Sequence, residues 1–142
     1  MELFDLYTKD RERTGDTIER GRELPANRYH LVVHICIFNS KGHMLIQQRQ
    51  PFKAGWSNMW DVSVGGSAVA GESSQSAAER EVLEELGYEL SLENNRPVLT
   101  IHFEDGFDDI YTVENDLDTE VLRLQPEEVQ AVKWASLEEI LQ

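Results

Sequence analysis

The sequence has little of several residue types, and each shortage excludes a class of protein. The single cysteine, Cys36, excludes an internal disulfide and a zinc site built of cysteines. There are only 13 basic residues against 27 acidic ones, which argues against duplex nucleic acid or an anionic membrane as partner, since phosphate backbones are held by clustered cations. No apolar run approaches the roughly 20 residues that span a bilayer, and the charged N-terminal segment does not resemble a signal peptide. We therefore expect a cytoplasmic protein.

The residues that are present suit a folded domain with a small-molecule partner. The chain has 142 residues, of which 40% are hydrophobic, so residues 1–142 can form one domain with its own core. The formal charge is −14. A small anionic ligand is compatible with that charge if a divalent metal supplies the positive charge.

Apolar alternation and turn residues predict several strands before the centre of the chain. We expect a hairpin within residues 1–25, formed by strands 3–8 and 16–23. Residues 29–38 are the strongest strand candidate, being apolar on both faces, and residues 43–49 are expected to return as their hairpin partner. Residues 60–64 are predicted as a short strand that leads into Gly65 and Gly66.

The second half of the chain predicts a helix over residues 74–86 and further strands over 97–103, 110–113, 120–124 and 129–134. Ser73 or Ser74 can cap the helix, and Gly87 suits a left-handed C-terminal cap. Ser136 and Glu139 form a capping box that opens a last helix, which we expect to be truncated at Gln142. The mixed order of elements favours an α/β (α+β) fold with a mixed sheet between helices.

Five glutamates lie between Gly65 and Gly87. At 100° per residue, Glu81, Glu84 and Glu85 are expected to share one helix face, with the apolar side chains Val82, Leu83 and Leu86 opposite. Such carboxylates repel one another by a few tenths of a kcal/mol per exposed pair, and Arg80 can relieve part of the repulsion.

A hard divalent cation would relieve the rest, because Mg²⁺ prefers oxygen ligands from carboxylates, phosphate and water. The alternative is an ordinary solvated face, which is the commoner outcome for a glutamate-rich helix. The flanking glycines favour the metal site in this sequence.

The full spacing is Gly66, Glu72, Arg80-Glu81, Glu84-Glu85 and Gly87. It resembles the Nudix hydrolase signature G-x5-E-x7-R-E-U-x-E-E-x-G-U, where U is bulky and aliphatic, at all seven fixed positions; Tyr88 departs from the pattern at the final U. The resemblance extends from about residue 29 to the end. It implies an α/β/α sandwich with a mixed central sheet. The N-terminal hairpin is similar to an extension in members related to isopentenyl-diphosphate isomerase.

The resemblance implies a metal-dependent hydrolase that cleaves a diphosphate bond in a nucleoside-diphosphate-linked substrate by water attack on phosphorus. Mg²⁺ or Mn²⁺ is the implied cofactor, with Glu81, Glu84, Glu85 and the Gly65 carbonyl as ligands. Arg80 is implied to orient the carboxylates. The general base stays open between Glu128, Glu127 and Glu81.

Other candidate residues carry two interpretations each. Arg49 and Lys53 resemble positions that hold diphosphate in the isomerase branch, or are ordinary loop charges. Glu72 either fixes the loop–helix geometry or joins an outer metal site. His30 matches a position near the metal of the isomerases, although a histidine in a buried strand is more often a core residue. Trp56 and Trp60 stack on a base or, as is commoner for Trp60, pack in the core.

Two alternative functions remain beside the hydrolase. An isopentenyl-diphosphate isomerase needs a cysteine soon after the tryptophan strand, where this chain has glycine, and Cys36 lies elsewhere. A non-catalytic ligand sensor would have no need of the full glutamate set. The particular diphosphate, the number of metals and the choice between monomer and homodimer stay open.

Overall fold

A computed structural model describes residues 2–53 and 57–141. In chain order its strands are β1 Leu3–Tyr7, β2 Arg13–Glu19, β3 His30–Phe38, β4 Met44–Arg49, β5 Trp60–Asp61, β6 Val64–Ser67, β7 Leu99–Phe103, β8 Gly106–Glu114 and β9 Val129–Ala135. The helix α1 spans Ser74–Leu86, a 3₁₀ helix spans Thr119–Val121, and α2 spans Leu137–Ile140. Within the described ranges, none of the helices is long and apolar enough to cross a membrane.

The main sheet is mixed, as the sequence predicts. Its strand order is β5-β4-β3-β8-β7, with β6 also paired to β3 and β9 to β4. Strands β3 and β8 run parallel from the His30–Gly106 pair to the Phe38–Glu114 pair, and the other pairings in this sheet are antiparallel. The mixed-sheet α+β class is therefore confirmed.

The predicted hairpin of β3 and β4 is correct only at its turn. The two strands pair at Phe38 and Met44 and then part. Strand β6 takes the edge of β3 from Val32 to Ile35, whereas β9 and β5 pair with β4. Sequence neighbours therefore open into a gap, and the predicted strand 60–64 is divided into β5 and β6 across it.

The core lies between α1 and one face of β3. Alternate β3 residues Leu31, Val33, Ile35 and Ile37 are buried against the helix residues Ala77, Ala78, Val82 and Leu86. The opposite face of β3, which carries His30, His34 and Cys36, is only half-buried. The helix therefore fixes which face of the sheet is the interior.

Helix α1 has the predicted bounds and caps. Ser73 forms a reciprocal capping box with Ser76, and Gly87 ends the helix with φ 67°, in the left-handed region. A Cβ at Gly87 would also lie 2.7 Å from that of Arg123, so both conformation and space favour glycine there.

The predicted division of the helix faces is wrong for three residues. Leu83 is 47% exposed, whereas Glu81 and Glu85 are buried. The buried arc of α1 is centred near Ala78, and 100° steps from that residue place Glu81 and Glu85 inside the arc and Leu83 beyond its edge. Two of the three glutamates therefore point inward beside the core, and Glu84 points outward.

The N-terminal residues form the predicted antiparallel hairpin as a separate two-stranded sheet. Phe4, Leu6 and Tyr7 are buried, and Tyr7 bridges to Tyr29 at the start of the main sheet. The hairpin is therefore anchored on the main body through the apolar side of β1.

The predicted strand 120–124 is wrong, because Thr119–Val121 forms a 3₁₀ helix. Asp118 caps it by accepting a hydrogen bond from the backbone N–H of Glu120, which favours a local turn over a strand. At the C-terminal end the predicted capping box of Ser136 and Glu139 is present and opens α2.

Candidate active site

One cavity of about 430 Å³ collects most of the residues that the sequence singles out. The end of β6, the helix α1, the loop after β4 and the loop before β9 all contribute to it. Its lining includes Gly65, Gly66, Arg80, Glu81, Glu84, Glu85, Arg49, Lys53 and Glu128. Residues from well-separated parts of the chain therefore share one polar cavity.

The two inward glutamates differ from Glu84 in their surroundings. Glu85 accepts a hydrogen bond from the Gln47 side chain at 2.8 Å, and that same amide donates to the Ser63 carbonyl. Burial, together with the neighbouring Glu81 carboxyl group, raises the pKa of Glu85 far above its usual range. Glu84 stays half exposed. The cavity therefore holds buried carboxyl groups that resist joint ionisation unless positive charge is supplied.

Arg80 is the cation that binds this cluster. Its guanidinium donates to Glu72 at 2.7 and 3.0 Å, to Glu81 at 2.8 Å and to Glu84 at 2.9 Å. The hydrogen bonds to Glu72 are the largest cause of a raised pKa for Arg80. Arg80 therefore stays charged and is hydrogen-bonded to three carboxylates at once.

Glu72 joins this network from the loop before α1. Besides binding Arg80, it accepts a hydrogen bond from the backbone N–H of Val69 at 2.8 Å. These contacts tie the loop to the helix, which agrees with the first of the two roles expected for Glu72.

Gly65 and Gly66 leave room for two different side chains. A Cβ at Gly66 would lie 2.4 Å from the carboxyl carbon of Glu81, and a Cβ at Gly65 would lie 2.5 Å from the His34 ring. Glycine at both positions therefore lets the backbone of β6 approach the acidic cluster on one side and a histidine on the other.

The sequence matches the family model described as NUDIX domain over residues 28–142. The chain belongs to the Nudix family.

Relatives of known sequence and structure agree with this family. The chain is 49% identical over 140 residues to an uncharacterised Nudix hydrolase of Listeria monocytogenes, covering 99% of this chain and 83% of that protein. It is 30% identical over 138 residues to the isopentenyl-diphosphate Delta-isomerase of Escherichia coli K12, covering 90% and 73%. A crystal structure of a Deinococcus radiodurans protein superposes with a TM-score of 0.79 at 30% identity, covering 99% and 86%.

Membership of the Nudix family supports a general activity. Nudix hydrolases cleave pyrophosphate bonds, which are phosphorus-containing anhydrides, in small-molecule substrates, and they generally use divalent metal ions. The predicted family and fold are thereby confirmed.

Cations at the rim of the Nudix cavity come from the end of β4, from the loop that follows it and from the hairpin. Lys53 binds Glu128 at 2.7 Å between Nζ and Oε1, and Arg49 lines the cavity nearby. Arg20 and Glu2 of the hairpin also line it and pair with each other at 3.2 Å. The sequence analysis missed Arg20, since no motif surrounds it and only the docking of the hairpin brings it there.

Some predicted residues lie apart from this cluster. Glu127 is exposed, outside the set of described residues that line the cavity. His30 stacks on Phe4 and meets Phe103 edge-on, and its Nδ1 is buried with no hydrogen-bond partner among the described residues. Of the expected roles for His30, this packing supports that of a core residue.

Of the two tryptophans considered for base stacking, the structure describes only Trp60, and it lies apart from the acidic cluster. Trp60 is partly exposed, and Lys133 Nζ lies 4.7 Å from its ring centroid in a cation–π contact. It is therefore neither a core residue nor part of the acidic cavity. Trp56 lies outside the described residues.

The donor set suits the divalent cation that the family uses. Its members are carboxylate oxygens and a backbone carbonyl, the ligands that Mg²⁺ prefers. Among the described residues, no three acidic, histidine or cysteine side chains already surround a common point, and Arg80 bridges Glu81 and Glu84. Buried carboxylates without full counter-charge are costly, as the raised pKa of Glu85 indicates. A dication would remove that cost, so the residues fit the metal.

Proposed function

We propose that this protein is a metal-dependent hydrolase that cleaves the diphosphate bond of a small nucleoside-diphosphate-linked substrate by water attack on phosphorus. The observation that carries the proposal is the composition of the main cavity. Three signature glutamates and Gly65 meet there with Arg20, Arg49 and Lys53 from other parts of the chain. Carboxylates are ligands of a divalent metal, and arginine and lysine side chains bind phosphate oxygens. The cavity can therefore hold a metal ion together with a diphosphate.

In the proposed site, Glu81, Glu84, Glu85 and the Gly65 carbonyl would hold Mg²⁺ or Mn²⁺. The bound cation would supply charge neutralisation of the phosphates and a lowered pKa for water. Arg80 keeps the carboxylates oriented through its hydrogen bonds to Glu81 and Glu84. Arg20, Arg49 and Lys53 would bind the non-bridging phosphate oxygens.

We propose Glu128 as the general base that takes a proton from the attacking water. It lines the cavity and is half-buried, whereas Glu127 is exposed. The ion pair with Lys53 fixes the position of this carboxylate at the wall of the cavity, and a general base has to lie within hydrogen-bond reach of the attacking water. Glu81 is the alternative base, although it already accepts a hydrogen bond from Arg80.

A substrate panel tests the proposal. The purified protein is incubated with Mg²⁺ or Mn²⁺ and nucleoside diphosphates, nucleotide sugars, dinucleotides, oxidised nucleotides or isoprenoid diphosphates, and products are separated by anion exchange. We expect metal-dependent release of a monophosphate from at least one member, with solvent ¹⁸O incorporated into the product phosphate.

Two other outcomes would each contradict the hydrolase proposal and favour an alternative function. Isomerisation of isopentenyl diphosphate without phosphate release would favour the isomerase, a reading motivated by the 30% identity to the Escherichia coli enzyme. Thermal stabilisation by a ligand with no product in any reaction would favour a sensor. Cys36, on the half-buried face of β3, is outside the described lining of the acidic cavity, which weighs against the isomerase.

A further inference from the structure

A second, smaller cavity opens beside the acidic one, in the gap where β3 and β6 part from β4 and β5. It has a volume of about 220 Å³, and we call it the side cavity. Val32, His34, Gln47 and Asp61 line it, and it shares with the main cavity Arg49, Gly65, Gly66, Ser67 and Glu85. A molecule bound at the acidic cluster can therefore extend into the side cavity.

His34 is the polar ring in this side cavity, and Asp108 holds it. The Nδ1 atom of His34 lies 2.7 Å from Oδ1 of Asp108. An ionised aspartate only accepts hydrogen bonds, so Nδ1 carries the proton, and in the neutral ring Nε2 is left as an acceptor. Because of this pairing, the Nε2 edge of the His34 ring can bind a hydrogen-bond donor.

Gly65 brings the ring and the acidic cluster together. His34 and Gly65 are partners across β3 and β6, and a Cβ at Gly65 would lie 2.8 Å from His34 Nε2. The next residue, Gly66, gives its space to Glu81. The histidine and the signature glutamate thus lie on opposite faces of one two-glycine segment.

Arg49, Ser67 and Glu85 lie on the wall shared with the main cavity, and the Gln47 amide already donates to Ser63 and Glu85. Besides His34, the side cavity itself therefore presents the acceptor Asp61. Asp61 contributes a carboxylate, one oxygen of which accepts from the Val62 N–H at 2.7 Å. An anionic group is disfavoured next to this carboxylate, whereas a neutral ring with N–H or O–H donors is favoured. The volume is below the roughly 300–1,000 Å³ of pockets that enclose drug-sized ligands, so it suits a single ring.

We propose that the side cavity binds an uncharged, single-ring part of the substrate that carries hydrogen-bond donors, and that His34, oriented by Asp108, accepts one of those donors. The donor is a ring amino group or a sugar hydroxyl. This inference rests on the proposed function, because the diphosphate at the acidic cluster positions the ring. It narrows the substrate to diphosphates with a small polar ring next to the phosphates.

The enzymatic test uses pairs of substrates at pH 8 with Mg²⁺. Cytosine carries a 4-amino group where uracil carries a carbonyl beside a ring N–H, the 2′-deoxy forms of both diphosphates lack one hydroxyl, and inorganic pyrophosphate has no ring. We expect His34→Phe to lower kcat/KM about 3- to 10-fold for donor-bearing substrates, mainly through KM, and to leave pyrophosphate unchanged. Loss of the cytidine preference assigns the amino group, and loss of the 2′-hydroxyl preference assigns the sugar.

Two variants serve as controls. His34→Gln keeps an acceptor at the tip of the side chain and should retain most of the preference that His34→Phe loses. His102→Phe makes the same replacement at an exposed histidine on β7 and should leave all rates unchanged. Equal losses on every substrate, pyrophosphate included, or no loss on any, would overturn the proposal.

A binding measurement separates this inference from the hydrolase proposal. The imidazole ¹H–¹⁵N spectrum of the metal-free protein is recorded with and without cytidine 5′-monophosphate. We expect the Nδ1-protonated form of His34 and a shift of its Nε2 resonance on ligand addition, even if no substrate is turned over. An unshifted Nε2 at saturating ligand would exclude His34 as the acceptor, whatever the activity.

Discussion

The carboxyl group of Glu81 occupies the space that a side chain at Gly66 would need. A Cβ at Gly66 would lie 2.4 Å from Glu81 Cδ and 2.6 Å from each carboxyl oxygen. Glu81 cannot turn away freely, because it is buried and hydrogen-bonded to Arg80. The signature glycine and the signature glutamate are therefore one packing unit, although fifteen positions separate them in the sequence.

Replacing Gly66 by alanine should displace this carboxylate. We expect Gly66→Ala to lower the metal-dependent rate by at least about 10-fold and to destabilise the fold by about 1–3 kcal/mol, as overpacking of a tight contact does. Steady-state kinetics and urea unfolding measure the two effects. A variant with wild-type rate and wild-type stability would show that the contact is not restrictive.

Charge removal at the other two glutamates should separate function from stability. Glu84→Gln and Glu85→Gln are each expected to lower kcat by at least about 100-fold if they hold the metal. Stability should stay within about 1 kcal/mol of wild type, or rise for Glu85→Gln, because burial already disfavours a charge there. Glu89→Gln, at an exposed position after the same helix, is the matched control. Near-normal rates in both variants would contradict the metal assignment.

A partly buried ion pair anchors the turn of the N-terminal hairpin and predicts an acid-sensitive contribution to stability. Arg11 Nη1 donates to Asp109 Oδ1 at 2.8 Å, and Asp109 is fully buried. Burial opposes ionisation of Asp109, but hydrogen bonds from Arg11 and Thr100 outweigh it and hold the pKa of this carboxyl below its usual range. A lowered folded-state pKa gives stability that is present at neutral pH and lost as pH falls through the folded-state value.

Arg11→Met should remove most of that contribution. We expect a loss of about 2 kcal/mol at pH 7, less than the 3–5 kcal/mol of a fully buried pair, since the Arg11 side chain remains 38% exposed. The loss should shrink as the pH is lowered toward 3, which urea unfolding across the pH range measures. Arg22→Met removes an exposed pair with Glu19 and should cost little at any pH. An equal cost for Arg11→Met at pH 7 and pH 3 would rule out the ionic explanation.

Replacing His30 tests whether removal of its buried Nδ1 atom stabilises the folded protein. Its Nδ1 is buried without a partner among the residues described, and burial lowers its pKa. The unfolded chain therefore binds a proton at higher pH than the folded one, and stability should fall as pH drops below the unfolded-state value near 6.5. We expect His30→Phe to be neutral or more stable by up to about 1 kcal/mol, and to flatten that pH dependence.

The same variant tests the metal role considered for His30. Metal-dependent activity should be retained, because the ring packs on Phe4 and Phe103. A large drop in metal affinity, with the fold intact, would instead support a metal role for His30. Isothermal titration with Mn²⁺ distinguishes the two outcomes.

The parts of the fold that the sequence predicts well are those decided by neighbours along the chain. The helix over 74–86, its serine cap and the capping box of Ser136 and Glu139 depend on residues within one turn. The strand predicted over 120–124 failed because the Asp118 cap outweighed the apolar pattern. The hairpin predicted for β3 and β4 holds only at its turn, because β6 pairs with β3 and β9 pairs with β4 along the rest of their facing edges. A single sequence contains no measure of that competition.

The features of the candidate site also fall into those that local spacing predicts and those that depend on contacts between distant segments. Spacing alone brings Glu81, Glu84 and Glu85 to one short stretch of helix and predicts that a cation belongs there. Sequence could not predict that Glu81 and Glu85 would point into the interior, because the buried arc of α1 depends on how the helix sits on the sheet. Arg20 reaches the cavity through docking of the hairpin, and Asp108 meets His34 through a parallel pairing of β3 and β8.

Spacing along the chain was enough to predict the helix, its caps, the acidic cluster and the resemblance to the Nudix family, because all of these depend on residues within a few helical turns of one another. Packing of distant segments decides which carboxylates are buried, which cations border them and which histidine lies across Gly65. Those contacts join segments as many as 75 residues apart, as in the Lys53–Glu128 ion pair. They form only when one particular face of the helix packs on the sheet and the strands adopt one particular order.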